Sequence, residues 1–283
     1  VNFMKAGIAY ADMITTVSPT YAEEILTSEF GCGLEGFLYY HRHKLVGIVN
    51  GIDIEHFSPS QDDALNATYV DLRGKAVNKR AYLKEIALKD AKKPLFIFVG
   101  RFASQKGLDL LIEALPKIVA LECNVAILGE GEGKYHDALK AIAGKHHNIH
   151  LTFGYDEALS HRMYAAADFF LMPSLFEPCG LAQMIAMHYG SLPIIHQVGG
   201  LADTVHHYKD FDAKSTKGYG IVFSVPKDVL FIKAIDEAME LYVHKRDYNK
   251  IAKHNMRCDF SWQESAKSYL EIYEKIIATR SDG

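Results

Sequence analysis

The 283 residues are 49% apolar and 23% charged, with a formal net charge of -4. That much apolar material builds the core of one large domain or two unequal ones, and an ordinary charged share excludes a disordered chain. The absence of surplus Lys and Arg argues against a nucleic-acid-binding surface, and no apolar run approaches the ~20 residues of a membrane helix.

The chain opens Val1-Asn2-Phe3-Met4-Lys5, which is neither a signal peptide nor an initiator Met, so a cut piece of a longer protein is expected. Residues 1–52 read as a helix, a strand over 13–18, a helix after Pro19 and a strand over 45–49. A Gly-rich loop over 30–37 lies between the last two, and Asn50-Gly51-Ile52-Asp53 is a turn signal. So little structure cannot bury both of its faces, which suggests the end of another domain. The other reading is an extension packed on the main sheet. Residues 58–63 (SPSQDD) read as an exposed connector.

After about residue 90, short apolar runs alternate with longer helical patterns. The predicted strand–helix pairs are 94–100 with 108–121, 124–129 with 133–145, and 149–153 with 157–167. Two more are 168–172 with 179–189, and 192–195 with 201–208. A short strand over 220–223 precedes a helical tail from 229. Continuous apolar strands separated by amphipathic helices mean an α/β fold, a Rossmann-like parallel sheet with helices on both faces.

Ligands of such sheets bind outside the carboxyl ends of the strands. Three loops there carry chemistry. Gly100 to Gly107 (GRFASQKG) holds Arg101 and Lys106, a guanidinium and an ammonium that can meet one pyrophosphate. Pro173 to Leu181 (PSLFEPCGL) opens a helix whose free N–H groups suit a phosphate, with Glu177 able to accept from sugar hydroxyls. Val198 to Leu201 (VGGL) is a third backbone-rich loop. Taken singly, each loop also fits a solvated surface or a helix cap. Cys179, at a predicted helix start, is expected to favour its thiolate and to be open to alkylation.

Other signals carry less. Gly129-Glu130-Gly131-Glu132-Gly133 lacks dinucleotide spacing, and its glutamates would repel a pyrophosphate. The pairs His41/His43, His146/His147 and His206/His207 have no ligand-spaced Cys or carboxylate and read as surface residues. Cys32, Cys123, Cys179 and Cys258 form no C-x-x-C pair and read as free thiols of a reducing compartment. No His motif supports Cys179 as a nucleophile; packing beside a ligand is the better reading.

The strings VGR…QKG (99–107), GYDE (154–157), PSLFEPCGLAQ (173–183), GGLADTV (199–205) and FSWQ (260–263) together resemble glycosyltransferase family 5, the glycogen and starch synthases. Tyr10-Ala11-Asp12 and Val17 to Ala22 (VSPTYA) resemble the end of that family's acceptor domain, so the likeness spans the chain in order.

The resemblance implies the C-terminal half of a GT-B glycosyltransferase. Residues 1–52 would be an acceptor-domain remnant, 53–260 an ADP-glucose-binding domain and 261–283 a C-terminal helix. It implies retaining transfer of glucose from ADP-glucose to an α-1,4-glucan, with no metal and no cofactor, in a bacterial cytoplasm or a plastid. Arg101, Lys106 and Glu177 would be the catalytic groups. Tyr155, Cys179, Gly180, Leu181, Ala182, Gly199 and Gly200 would line the donor, with Tyr155 on adenine unless it is a core residue. Two departures stand out. Ile185 replaces the second Glu of the broader GT-B pattern, as is usual in family 5, and His196-Gln197-Val198 stands where Arg and Thr are common. The family's Lys-x-Gly-Gly-Leu loop is absent, so the piece is expected to bind nucleotide and transfer little. A silent ADP-glucose-binding module and a UDP-sugar transferase are the alternatives.

Overall fold

A computed structural model describes residues 2–281 of the chain. The N-terminal segment carries α1 (Phe3–Tyr10), β1 (Ile14–Thr16), α2 (Pro19–Glu24), α3 (Glu35–Tyr40) and β2 (Leu45–Gly47). After α4 (Leu72–Glu85) the alternation begins with β3 (Leu95–Val99), α5 (Leu108–Val119), β4 (Asn124–Gly129), α6 (Gly133–Ala143) and β5 (Ile149–Phe153). It continues with α7 (Glu157–Ala166), β6 (Phe169–Met172), α8 (Ala182–His188), β7 (Leu192–His196), α9 (Gly199–Thr204), β8 (Val205–His207) and β9 (Gly218–Phe223). Three helices close the chain: α10 (Asp228–Val243), α11 (Lys245–Asn255) and α12 (Trp262–Ser281).

Seven strands form one all-parallel sheet in the order β5-β4-β3-β6-β7-β9-β8. Strand alternation feeds two separate cores. Phe96 and Phe98 point into one with residues of α5, α6, α10 and α11. Leu95 and Ile97 point into the other with residues of α4, α7, α8 and α9. The chain builds outward from β3 through β4 to β5, then returns to lay β6 on the opposite side of β3. That reversal leaves a crevice beyond the carboxyl ends of β3 and β6.

The N-terminal segment makes its own parallel pair, β1 with β2, apart from the main sheet. It is tied to the main unit by two helices that exchange carboxylates. Asp203 of α9 accepts from the Thr20 amide (3.0 Å) and hydroxyl (2.6 Å) at the start of α2. Glu24 of α2 accepts from the Gly199 amide at the start of α9 (2.8 Å). Each carboxylate satisfies orphan donors at its neighbour's N-terminus. α1 buries none of its residues.

Four sequence expectations need correction. The helix expected over 201–208 stops at Thr204, and β-branched Val205 begins an edge strand paired with β9. The helix expected from 179 starts at Ala182, because Gly180 is left-handed (φ 72°) and holds the chain in a loop. The loop over 30–37 becomes helical at Glu35. Residues 58–63 are not an exposed connector throughout: Ser58 and Asp62 are buried, and Asp62 accepts from Tyr189 Oη (2.5 Å).

Candidate functional site

The loop after β3 turns back on itself at Gly107, where φ is 72° and a Cβ would stand 2.0 Å from the Pro173 carbonyl oxygen. Only glycine allows the loops after β3 and β6 to touch there. The contact brings the Lys106 ammonium 2.5 Å from Glu177 Oε2. Glu177 is buried, and Ser174 Oγ donates to the same oxygen at 3.1 Å. The ammonium has three donors, so one bond to Glu177 leaves two for a ligand.

Gln105 joins this pair to Arg101. Arg101 Nη2 donates to Gln105 Oε1 (3.0 Å), and Gln105 Nε2 donates to the Phe176 carbonyl (3.0 Å). The Leu175 amide donates to the Gln105 carbonyl (2.9 Å), so one residue bridges both loops. Arg101 also lines a cavity of about 390 Å³ with Phe57, Gly129, Glu130, Tyr155, Glu157 and Tyr164. Tyr155 is 84% exposed, which rules out the core-tyrosine reading.

Gly199 and Gly200 sit against the loop after β6. A Cβ on Gly199 would lie 2.1 Å from the Glu177 carbonyl oxygen, and one on Gly200 would lie 2.2 Å from that of Cys179. Their amides already have partners: Gly199 donates to Glu24 Oε1, and Gly200 to the Glu177 carbonyl (3.0 Å). In this conformation the two glycines hold Glu177 and Cys179 in place. Gln183, fully buried, does the same from α8 by donating to the carbonyls of Cys179 (3.2 Å) and Gly180 (2.9 Å). Leu181 is partly exposed and Ala182 opens α8.

Two expectations fail at Cys179. It is 6% exposed rather than open. Burial pushes its thiol up, and the carboxylates of Glu177 and Asp203 add to this against a hydrogen bond from the Asn50 backbone. The thiolate is therefore disfavoured, because desolvation outweighs any dipole of a helix that starts three residues later. His196 is buried and hydrogen-bonds the Ser174 carbonyl through Nδ1 (2.8 Å). Burial holds this imidazole below its ordinary range, so it is a neutral prop for the Ser174–Glu177 loop.

The structure thus gathers Arg101 and Tyr155 at one cavity and Lys106, Glu177, Cys179, Gly199 and Gly200 in a hydrogen-bonded cluster beside it. Sequence reasoning gave no role to Gln105, Ser174, Gln183, His196 or Glu24. Only Gln105 left a usable signal, an amide set between the two cations. A roomier cavity of about 780 Å³, lined by Phe211, Lys250, Lys253 and Arg257 among others, contains none of the predicted residues.

The family model for group 1 glycosyl transferases matches residues 79–255, and that for the starch synthase catalytic domain matches residues 1–40. Glycogen synthase 2 of Nitrosococcus oceani is 41% identical over 282 residues, covering 98% of this chain and 57% of that protein. The glycogen synthase of Myxococcus xanthus is 42% identical over 281 residues, again 98% and 57%. The chain therefore spans little more than half the length of these relatives. The catalytic domain of starch synthase IV from Arabidopsis thaliana, bound to ADP and acarbose, superposes with a TM-score of 0.91 at 37% identity. That superposition covers 98% of this chain and 58% of the other.

Proposed function

The chain belongs to the group 1 glycosyl transferases, among the glycogen and starch synthases, and from that premise we propose that it binds ADP-glucose for retaining transfer to an α-1,4-glucan. The observation that carries this reading is the bridging of Arg101, Lys106 and Glu177 through Gln105 at the sheet reversal. In transfer, the bond from glucose C1 to the phosphate oxygen breaks and negative charge grows on the departing ADP. In this reading Arg101 and Lys106 supply the fixed cations that stabilise that charge without a metal ion. Glu177, held by Lys106 and Ser174, keeps acceptor capacity for sugar hydroxyls. Leu181 and Ala182 lie at the start of α8, whose first-turn amides lack intrahelical partners and suit the distal phosphate.

Tyr155 presents a free ring at the lip of the Arg101 cavity, where it can stack on a nucleobase. An ADP-bearing starch synthase structure among the likenesses favours adenine over uracil. Residues 1–52 are proposed as the remnant of an acceptor domain, residues 53–260 as the ADP-glucose-binding domain and residues 261–283 as a C-terminal helix. The 283 residues alone are proposed to bind the donor and turn over little of it. Bacterial relatives favour a cytoplasmic bacterial protein, and the plant structure leaves a plastid as the second reading. Among the described residues no helix is long and apolar enough to cross a membrane. Calorimetric titration with ADP-glucose and with UDP-glucose tests the donor. Tighter binding of ADP-glucose supports the reading, and preference for UDP-glucose overturns it.

A further inference from the structure

Beside the Arg101 cavity, three side chains converge that the donor reading does not use. Glu157 and His161 stand one turn apart on α7, the spacing that places two side chains on one helix face. His56 reaches them from the turn after Asp53, whose Oδ1 accepts from the Glu55 and His56 amides (3.0 Å each). His56 Nε2 lies 3.0 Å from Glu157 Oε1. One ligand atom from each of His56, Glu157 and His161 lies within 4.8 Å of the others.

A buried carboxylate holds His161 of α7. Its Nδ1 is 2.8 Å from Asp62 Oδ2, which also accepts from Tyr189 Oη at 2.5 Å. The carboxylate accepts from Nδ1–H, so the neutral ring carries its lone pair on Nε2. His161 is 3% exposed, and its Nε2 has no hydrogen-bond partner among the described residues. A buried acceptor without a partner is unusual. A carboxylate bonded to one nitrogen of an imidazole that is grouped with other ligand atoms is the arrangement of metal-bound histidines.

We infer that His56, Glu157 and His161 form a site for a divalent transition ion of the zinc class, with Asp62 orienting His161. Two imidazoles and one carboxylate suit such an ion better than calcium or magnesium, which prefer all-oxygen sets. His56 and Glu157 are about half exposed, so the ion can enter and keep a fourth position for water. It would fasten residues 53–62 to α7 at the rim of a cavity that Phe57 and Glu157 both line. None of the three ligands is Arg101, Lys106 or Glu177, so the inference stands independently of the donor.

The test uses the metal-free 283-residue chain titrated with Co2+, read by visible absorption, followed by displacement with Zn2+. One Co2+ per chain with intense four-coordinate bands, no thiolate charge-transfer band and release by one equivalent of Zn2+ is the expected result. His56→Ala and Glu157→Gln, both at accessible positions, should each weaken uptake tenfold or more while circular dichroism stays unchanged. Asp62→Asn should weaken it by about 10- to 100-fold, the range for partners behind metal ligands. A His41→Ala/His43→Ala double variant should bind as the parent does. Absence of stoichiometric uptake, uptake indifferent to His56→Ala and Glu157→Gln, or uptake lost in the His41/His43 variant would each overturn the assignment.

Discussion

The Lys106 ammonium and the Glu177 carboxylate, 71 residues apart in the chain, meet at 2.5 Å across the reversal of the sheet. Glu177 is the more deeply buried partner. Lys106→Ala should cost about 1–3 kcal/mol of stability, since it removes the charged donor and leaves the buried carboxylate with Ser174 alone. Adding Glu177→Gln removes the orphan charge and should recover part of that loss. Urea denaturation of the single and double variants measures it, and equal stability of the two would show that the pair is not coupled.

Tyr155 should act on the base and not on the phosphates. Its ring is free and borders the same cavity as Arg101. Stacking of an aromatic ring on a base contributes about 1–3 kcal/mol, so Tyr155→Ala should weaken ADP binding accordingly and leave pyrophosphate affinity unchanged. Equal losses for both ligands would place the base elsewhere.

Thiol reactivity should follow burial. Cys32 is exposed, whereas Cys123, Cys179 and Cys258 are buried and burial raises all three thiols. Brief iodoacetamide treatment near neutral pH, mapped by peptide, should label Cys32 first. Cys179 should lag and gain rate as the pH is raised. Labelling of Cys179 at the pace of Cys32 would mean that the loop after β6 opens in solution.

The histidines set an acid limit. Burial holds His150, His188, His196, His206 and His207 below the ordinary imidazole range. The unfolded chain therefore binds more protons than the folded one once pH falls below about 6.5, and stability drops with pH. Glu24, raised by burial, works the other way in the carboxylate range, but it is a single group. The urea midpoint should be lower at pH 5.5 than at pH 7.5. A midpoint that holds or rises would mean that these imidazoles are not held neutral by the fold.

Much of the architecture is legible in the sequence where burial is apolar. The run at Asn124–Gly129 coincides with β4, which is buried along its whole length, since a strand covered on both faces is apolar nearly throughout, whereas Ile149–Phe153 is the half-buried edge strand β5, in which Ile149, Leu151 and Phe153 alternate with His150 and Thr152. α4 escaped notice because its buried face is Lys75, Asn78, Lys79, Tyr82 and Leu83, helical spacing written largely in polar residues. Lys75 is buried where its Nζ shares three N–H donors among four acceptors, the carbonyls of Tyr164, Ala165 and Tyr189 and Ser191 Oγ. No apolar periodicity could announce that. The site shows the same divide. Arg101, Lys106 and Glu177 follow strands and are visible as motif residues, whereas His196 matters through a contact made only in three dimensions. Cys179 was misjudged because exposure is a property of packing, which its place in a motif does not reveal.

The most direct test of the donor site is calorimetric titration of ADP-glucose into the parent chain and into Arg101→Ala. The guanidinium is exposed, held by Gln105 and free of any ion-pair partner among the described residues, so its removal should leave the fold intact. One ADP-glucose should bind per parent chain. Arg101→Ala should weaken that binding by about 1.5–3 kcal/mol, the range for a hydrogen bond to a charged group, or roughly ten- to 150-fold. An Arg101→Ala variant that binds ADP-glucose as tightly as the parent would contradict the placement of the diphosphate at the loop after β3.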